Sequence, residues 1–95
     1  MTTLHEIDAT CLALQAAIPE AHMVTVNRCL LSGEFSWDAH ITVPMRDKRF
    51  HIVKGKTVTL RVFGGTDLGE LVPKSLADYH YHTTGKLLES HHDHT

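Results

Sequence analysis

The chain has 95 residues, of which 42% are hydrophobic and 21% charged, a composition typical of one small globular domain. Its net charge of −2, from 9 Lys+Arg against 11 Asp+Glu, excludes a uniformly basic nucleic-acid-wrapping protein and is too small for a polyanionic mimic of DNA. A chain of this length buries one modest core and leaves little room for a deep cavity, so a surface site is expected.

The cysteines and the N-terminus indicate a reduced, cytoplasmic protein. Cys11 and Cys29 allow at most one bridge, and Cys11 falls on the apolar face of a predicted helix, where a thiol behaves as a small hydrophobe. No basic segment precedes an apolar run at the N-terminus, so no signal peptide is predicted. No stretch approaches the roughly 20 apolar residues that span a bilayer, so no membrane partner is expected.

The first predicted element is a helix over residues 3–18. Thr3 and Glu6 have the spacing of a capping box. Five apolar residues then recur at steps of three and four along one face: Leu4, Ile7, Cys11, Leu14 and Ile18. Pro19 ends the helix, because the residue before a proline is pushed out of the α region.

The clearest strand signal is residues 35–43, which read FSWDAHITV and alternate between apolar and polar side chains. Residues 23–31 are predicted to be the strand before it, joined through a turn at Ser32-Gly33. Pairing the two as a hairpin gives three apolar cross-strand pairs: Leu30–Phe35, Val26–Ala39 and Val24–Ile41. The same register sets Arg28 opposite Trp37, so either the Arg28 stem lies along the indole or a bulge shifts the register.

Two further strands are predicted after Pro44. Residues 49–53 alternate with Phe50 and Ile52 inward, which places His51 opposite Thr42 on the polar face. Lys54-Gly55-Lys56 is interpreted as a turn into a fourth strand over residues 57–63.

A second helix is predicted over residues 73–82, beginning at Pro73 and stopping before Gly85. The expected fold class is therefore α+β, in the order α-β-β-β-β-α, with the N-terminal helix packed on a four-stranded antiparallel meander. Residues 1–85 are predicted to form a single domain, and residues 86–95 a flexible, histidine-rich tail.

The polar face of this sheet is the predicted binding site. In the expected register it carries Asp38, His40, Arg49, His51 and Arg61. Asp38 could orient His40 for general-base chemistry beside Ser36, but catalysis needs a concave, water-excluding pocket, which an exposed sheet does not offer. No outward aromatic side chain is predicted there, so a base-stacking platform is not expected.

The sequence therefore predicts a small, non-enzymatic module that binds another protein and acts as a regulator or inhibitor. Because short chains of this kind are often encoded by phages or mobile elements and block a host complex, a host complex is the expected partner. A homodimer formed through a sheet edge is a further expectation, since unpaired strand edges accept another strand.

Two alternatives remain open. The second-ranked function is a nucleic-acid-binding regulator that uses the basic residues of two hairpin loops: Arg46, Lys48, Lys54 and Lys56. The third is a metal-binding or small hydrolytic protein, because the chain has nine histidines. The metal candidates are His91, His92 and His94, but a terminal tail does not hold four ligands in tetrahedral geometry, so no metal or other cofactor is expected.

Overall fold

The computed structural model describes residues 4–87. Their elements follow in the order α1 (Leu4–Ala17), β1 (Met23–Leu31), β2 (Glu34–Arg46), β3 (Ile52–Gly65), a 3-10 turn (Leu68–Glu70) and α2 (Leu71–Thr84). The strands of this described part form one antiparallel sheet in the order β1-β2-β3. The predicted tail, with His91, His92 and His94, lies outside the described residues except for Lys86 and Leu87.

The two helices pack on one face of the sheet and on each other. At the centre of this layer Ala39, Ile41 and Val43 of β2 are fully buried. Leu14 of α1 and Leu71 of α2 close over them and are also fully buried. The α+β class and the N-terminal helix on the sheet are thus confirmed.

Helix α1 packs most tightly at its C-terminal end, while Ile7 in its first half is partly buried against the same core. Leu14 and Ile18 are fully buried, whereas Leu4 at the start of the predicted apolar stripe is 78% exposed. Pro19 follows the last turn, as predicted, and Cys11 is a half-buried free thiol. No helix within residues 4–87 is both long and apolar enough to cross a membrane.

The β1–β2 hairpin has the predicted register, including Arg28 opposite Trp37. Its two-residue turn is made by Ser32 and Gly33, both with positive φ, the geometry that suits the twist of a tight hairpin. The Arg28 guanidinium lies 3.8 Å from the centroid of the Phe35 ring and 5.9 Å from that of Trp37. The guanidinium therefore stacks on Phe35 more closely than on the Trp37 indole that was expected to receive it, and no bulge shifts the register.

The prediction of four strands is wrong, because β3 continues through Lys54-Gly55-Lys56 without reversing. Arg46 pairs with Ile52 and Pro44 with Thr57, so residues 53–56 form a bulge opposite the single residue Met45. Gly55 has φ +80°, which glycine adopts at little steric cost, and this lets the strand absorb the extra residues.

The chain reverses instead at residues 47–51. The carboxylate of Asp47 accepts hydrogen bonds from the backbone N–H groups of Arg49 (2.8 Å) and His51 (3.0 Å). Phe50 at the tip packs against Gly85, which ends α2 with φ +73°, as predicted for this glycine. A Cβ at position 85 would overlap the Phe50 ring, so a larger residue there would require this ring to shift, in addition to adopting a positive φ.

Candidate interaction face

The face of the sheet that points away from the helices, here called the open face, holds three of the five predicted partner-binding residues. Asp38 and His40 lie on it from β2, and Arg61 of β3 is paired directly with His40. Arg49 and His51 do not lie on this face but in the turn at residues 47–51. They were misplaced because the expected register assumed a separate strand at residues 49–53.

Asp38 and His40 are close but not hydrogen-bonded. The distance from Asp38 Oδ2 to His40 Nε2 is 3.7 Å, and their side chains are 18% and 37% exposed. Asp38 Oδ1 and His40 Nε2 have almost no accessible surface and no hydrogen-bond partner. An unpaired polar atom shielded from water costs about 1–3 kcal/mol, so this pair is held in place at some cost in stability.

An aromatic side chain that the sequence interpretation missed lies beside this pair. Phe63 of β3 is paired with Asp38 and is 51% exposed. The prediction that no aromatic residue projects from the open face is therefore wrong. Strand alternation carried the signal, since Phe63 has the same parity as Arg61.

The remainder of the open face is polar at its centre and apolar at the β1 edge, where Met23, paired with Thr42, and Leu31, paired with Glu34, are 57% and 55% exposed. The hydroxyl groups of Thr42 and Thr59, which are paired across β2 and β3, are 3.1 Å apart. Ser36, the nominal nucleophile of the sequence interpretation, is only 5% exposed. The groups nearest the centre are thus Asp38, His40, Arg61 and Phe63, of which Arg61 and Phe63 are exposed and Asp38 and His40 half-buried.

A half-open cleft of about 800 Å³ runs along the free edge of β3. Thr59, Leu60 and Arg61 all line it, and consecutive strand residues can share a cleft only where it follows the strand edge. Tyr81 and Asp78 of α2 lie on the opposite wall. Desolvation raises the pKa of the Asp78 carboxyl above its ordinary value.

A polar cluster joins the end of α1, the end of β2 and α2. Arg46 Nη2 donates to both Glu20 carboxylate oxygens, at 2.9 and 3.1 Å, and Nη1 donates to the Phe50 carbonyl at 3.0 Å. The Tyr79 hydroxyl also donates to Glu20. His82 Nε2 lies 3.0 Å from the Pro44 carbonyl oxygen, which extends the cluster along α2.

These contacts fix the charges within the cluster. Burial disfavours ionisation of Glu20, but the hydrogen bonds from Tyr79 and Arg46 outweigh burial, so the pKa of this carboxyl lies below its ordinary value. The hydrogen bond to Glu20 raises the pKa of Arg46. Burial together with the bond to Glu20 raises the pKa of Tyr79 to about 12. Arg46, predicted as a nucleic-acid contact, is thus already engaged inside the protein.

The other three residues of that alternative lie together. Lys48 is in the turn at residues 47–51, and Lys54 and Lys56 flank Gly55 in the bulge of β3. What the sequence suggested to be two separate loops is therefore the end of a single hairpin.

No protein-family model, curated protein or solved structure matches the chain. Within residues 4–87, no three His, Cys, Asp or Glu side chains are grouped so that they could hold a metal ion. The functional conclusion accordingly depends on the geometry of the open face and of the β2–β3 hairpin.

Proposed function

We propose that the chain is a small interaction module that binds another protein through the open face of its sheet. The observation that carries this proposal is that both helices cover one face, while the other presents half-exposed Phe63 and exposed Arg61 beside Asp38 and His40, of which Asp38 Oδ1 and His40 Nε2 have no hydrogen-bond partner. An apolar side chain surrounded by charged and hydroxyl groups is the usual arrangement at the centre of a protein interface.

The module acts, in this proposal, as a non-enzymatic regulator or inhibitor in the cytoplasm. Its small size and two free cysteines are compatible with this role. We further propose an origin in a phage or mobile element, with a host complex as the partner.

The open face and the turn provide a matched pair of variants that tests the proposal. We expect Arg61→Ala combined with Phe63→Ala to lower the recovery of the partner about 30-fold, the effect of losing about 2 kcal/mol at an interface centre. Arg49→Ala combined with His51→Ala should leave recovery unchanged, because these residues lie in the turn. The measurement is quantitative affinity capture from cell extract, with circular dichroism confirming that each variant is folded.

Equal recovery by the two double variants would contradict the assignment of the open face. Loss with the turn variant alone would transfer the interface to the β2–β3 hairpin.

We also propose that β1, rather than β3, is the edge through which two copies pair. The bulge and the two lysines at positions 54 and 56 protect β3 against pairing with another strand. Strand β1 is regular over nine residues, has Arg28 as its single charge, and leaves Met23, Leu30 and Leu31 exposed. An antiparallel pairing centred on Asn27 matches all nine residues and sets no like charges opposite one another.

Introducing a charge at position 27, in place of the neutral Asn27, tests this pairing. Asn27→Lys places two like charges opposite each other at the two-fold axis, so we expect the mass measured by light scattering to fall from about twice 10.6 kDa to 10.6 kDa. Asn27→Asp should act likewise, and an equimolar mixture of the two variants should recover the dimer. A wild-type chain that is monomeric at all concentrations would rule out self-pairing.

A further inference from the structure

The positive charge of the chain is concentrated at one end of the β2–β3 hairpin. Residues 46–56, here called the basic hairpin end, contain five of the 9 Lys+Arg and one of the 11 Asp+Glu, which gives +4. The remaining residues carry four basic and ten acidic side chains, which gives −6. The formal net charge of −2 therefore conceals a strongly basic hairpin on an acidic body.

Four of the five cations are available for binding. Arg46 is engaged by Glu20 and by the Phe50 carbonyl. Within residues 4–87, the exposed side chains of the other four make no ion pair: Lys48, Arg49, Lys54 and Lys56. The single acid of the segment, Asp47, is turned to the backbone N–H groups of Arg49 and His51, whose hydrogen bonds lower the pKa of its carboxyl.

Edge protection accounts for only part of this charge. Lysines on an exposed strand edge discourage pairing with other strands, which explains Lys54 and Lys56 on β3. Lys48 and Arg49 lie in a turn, where no strand edge needs protection. The Asp47 hydrogen bonds order the backbone of the turn and the Phe50 ring lies beside Gly85, so Lys48 and Arg49 project into solvent from a defined stretch of backbone.

We infer that the basic hairpin end binds the phosphodiester backbone of a nucleic acid. Free, exposed cations on a hairpin suit contacts to phosphate oxygens, which give affinity without sequence specificity. This site is separate from the open face and does not depend on the proposed protein interface. Arg46, an expected member of the contact set, has a structural role, and Arg49 takes its place.

The salt dependence of binding gives a quantitative test. The probes are fluorescein-labelled 20-nucleotide single-stranded DNA, the RNA of the same sequence, and the corresponding DNA duplex, followed by fluorescence anisotropy. Four phosphate contacts predict that affinity falls about 50-fold for the single strands and about 150-fold for the duplex between 50 and 200 mM salt. Comparing the three probes shows whether the site prefers single-stranded DNA, RNA or duplex DNA.

Matched variants locate the contacts. Lys48→Ala combined with Arg49→Ala should weaken binding to every probe and reduce the salt slope for single strands by about 1.4, the contribution of two phosphate contacts. Lys74 is exposed near the start of α2, whereas the turn lies beside the end of this helix. Lys74→Ala should therefore change neither the affinity nor the salt slope. Phe63→Ala should also bind as the wild type does, which separates this site from the open face.

Three outcomes would overturn the inference. They are absence of binding at 50 mM salt, an affinity that is unchanged in the Lys48/Arg49 variant, and equally tight binding of a labelled polyglutamate peptide that depends on the same two residues. The last outcome would show that the basic hairpin end binds an acidic protein segment and not a nucleic acid.

Discussion

Ile41→Ala is expected to lower the free energy of unfolding by about 3–4 kcal/mol, within the range found for removing a large buried aliphatic side chain. Ile41 is fully buried in the central strand of the sheet, with Val24 and Leu60 as its cross-strand neighbours and with the helices above it. A truncation there leaves a cavity that β2 cannot fill, because it is held by strands on both sides. The measurement is equilibrium unfolding in urea.

Ile52→Ala is the matched control, since it makes the same chemical change in the same sheet at a side chain that is 52% exposed. We expect its effect to stay within about 0.5 kcal/mol. If the two substitutions cost the same, the sheet does not have the buried centre described above, and the packing of both helices on it would be wrong.

This buried centre also positions the open face. Ile41 lies between His40 and Thr42, so the residues that hold the core and those that form the open face alternate along β2. A rigid core strand fixes the spacing of Asp38 and His40, and the pairing with β3 brings Arg61 and Phe63 beside them. The pairing of the strands therefore sets the spacing of the residues in the proposed interface.

The β1–β2 hairpin and its register could be predicted from the sequence because the residues that determine them are close together in the chain. Strict alternation in β2 and the two-residue turn at Ser32-Gly33 leave one register that buries the apolar residues together. Arg28 opposite Trp37 looked unfavourable on hydrophobicity alone. The stacking of its guanidinium on Phe35 explains how the register accommodates a charge.

The third strand shows a case in which the local sequence pattern does not determine whether the chain turns or continues. Lys54-Gly55-Lys56 has the composition of a turn, but a glycine with positive φ serves equally well in a bulge. The pairing of Val58, Leu60 and Val62 with the buried residues of β2 decides between the two, and it is a long-range contact. The same error moved Arg49 and His51 from the turn onto the predicted face.

The polar cluster could not be predicted from the sequence either, because Glu20 and Arg46 are 26 residues apart and Tyr79 is 59 residues from Glu20. No spacing rule connects an acid after α1 with a basic residue at the end of β2. Arg46 looked like a surface cation for that reason, whereas only 17% of its side chain is exposed.

Glu20→Gln is the second substitution expected to have a large effect, lowering the free energy of unfolding by about 2–3 kcal/mol at pH 7. The change keeps the shape of the side chain but leaves the Arg46 guanidinium, on a side chain that is 17% exposed, without a counter-charge. Because the cluster joins α1, β2 and α2, its loss weakens the packing of all three. Urea unfolding at pH 7 measures the effect, with Glu34→Gln, an exposed carboxylate on β2, as the matched control expected to change stability by less than about 0.5 kcal/mol.

The effect of Glu20→Gln should also depend on pH in a defined direction. The folded-state pKa of Glu20 is depressed, so the stability it contributes is present above its ordinary pKa of 4.5 and is lost as the pH falls through the lower folded value. The difference between wild type and Glu20→Gln should therefore shrink as the pH is lowered from 5 toward 2. Tyr79→Phe removes one of the hydrogen bonds that depress this pKa, so in that variant the loss should begin at a higher pH. A difference that stays constant down to pH 2 would show that Glu20 does not titrate within the cluster, and that the hydrogen bonds from Tyr79 and Arg46 do not hold its charge.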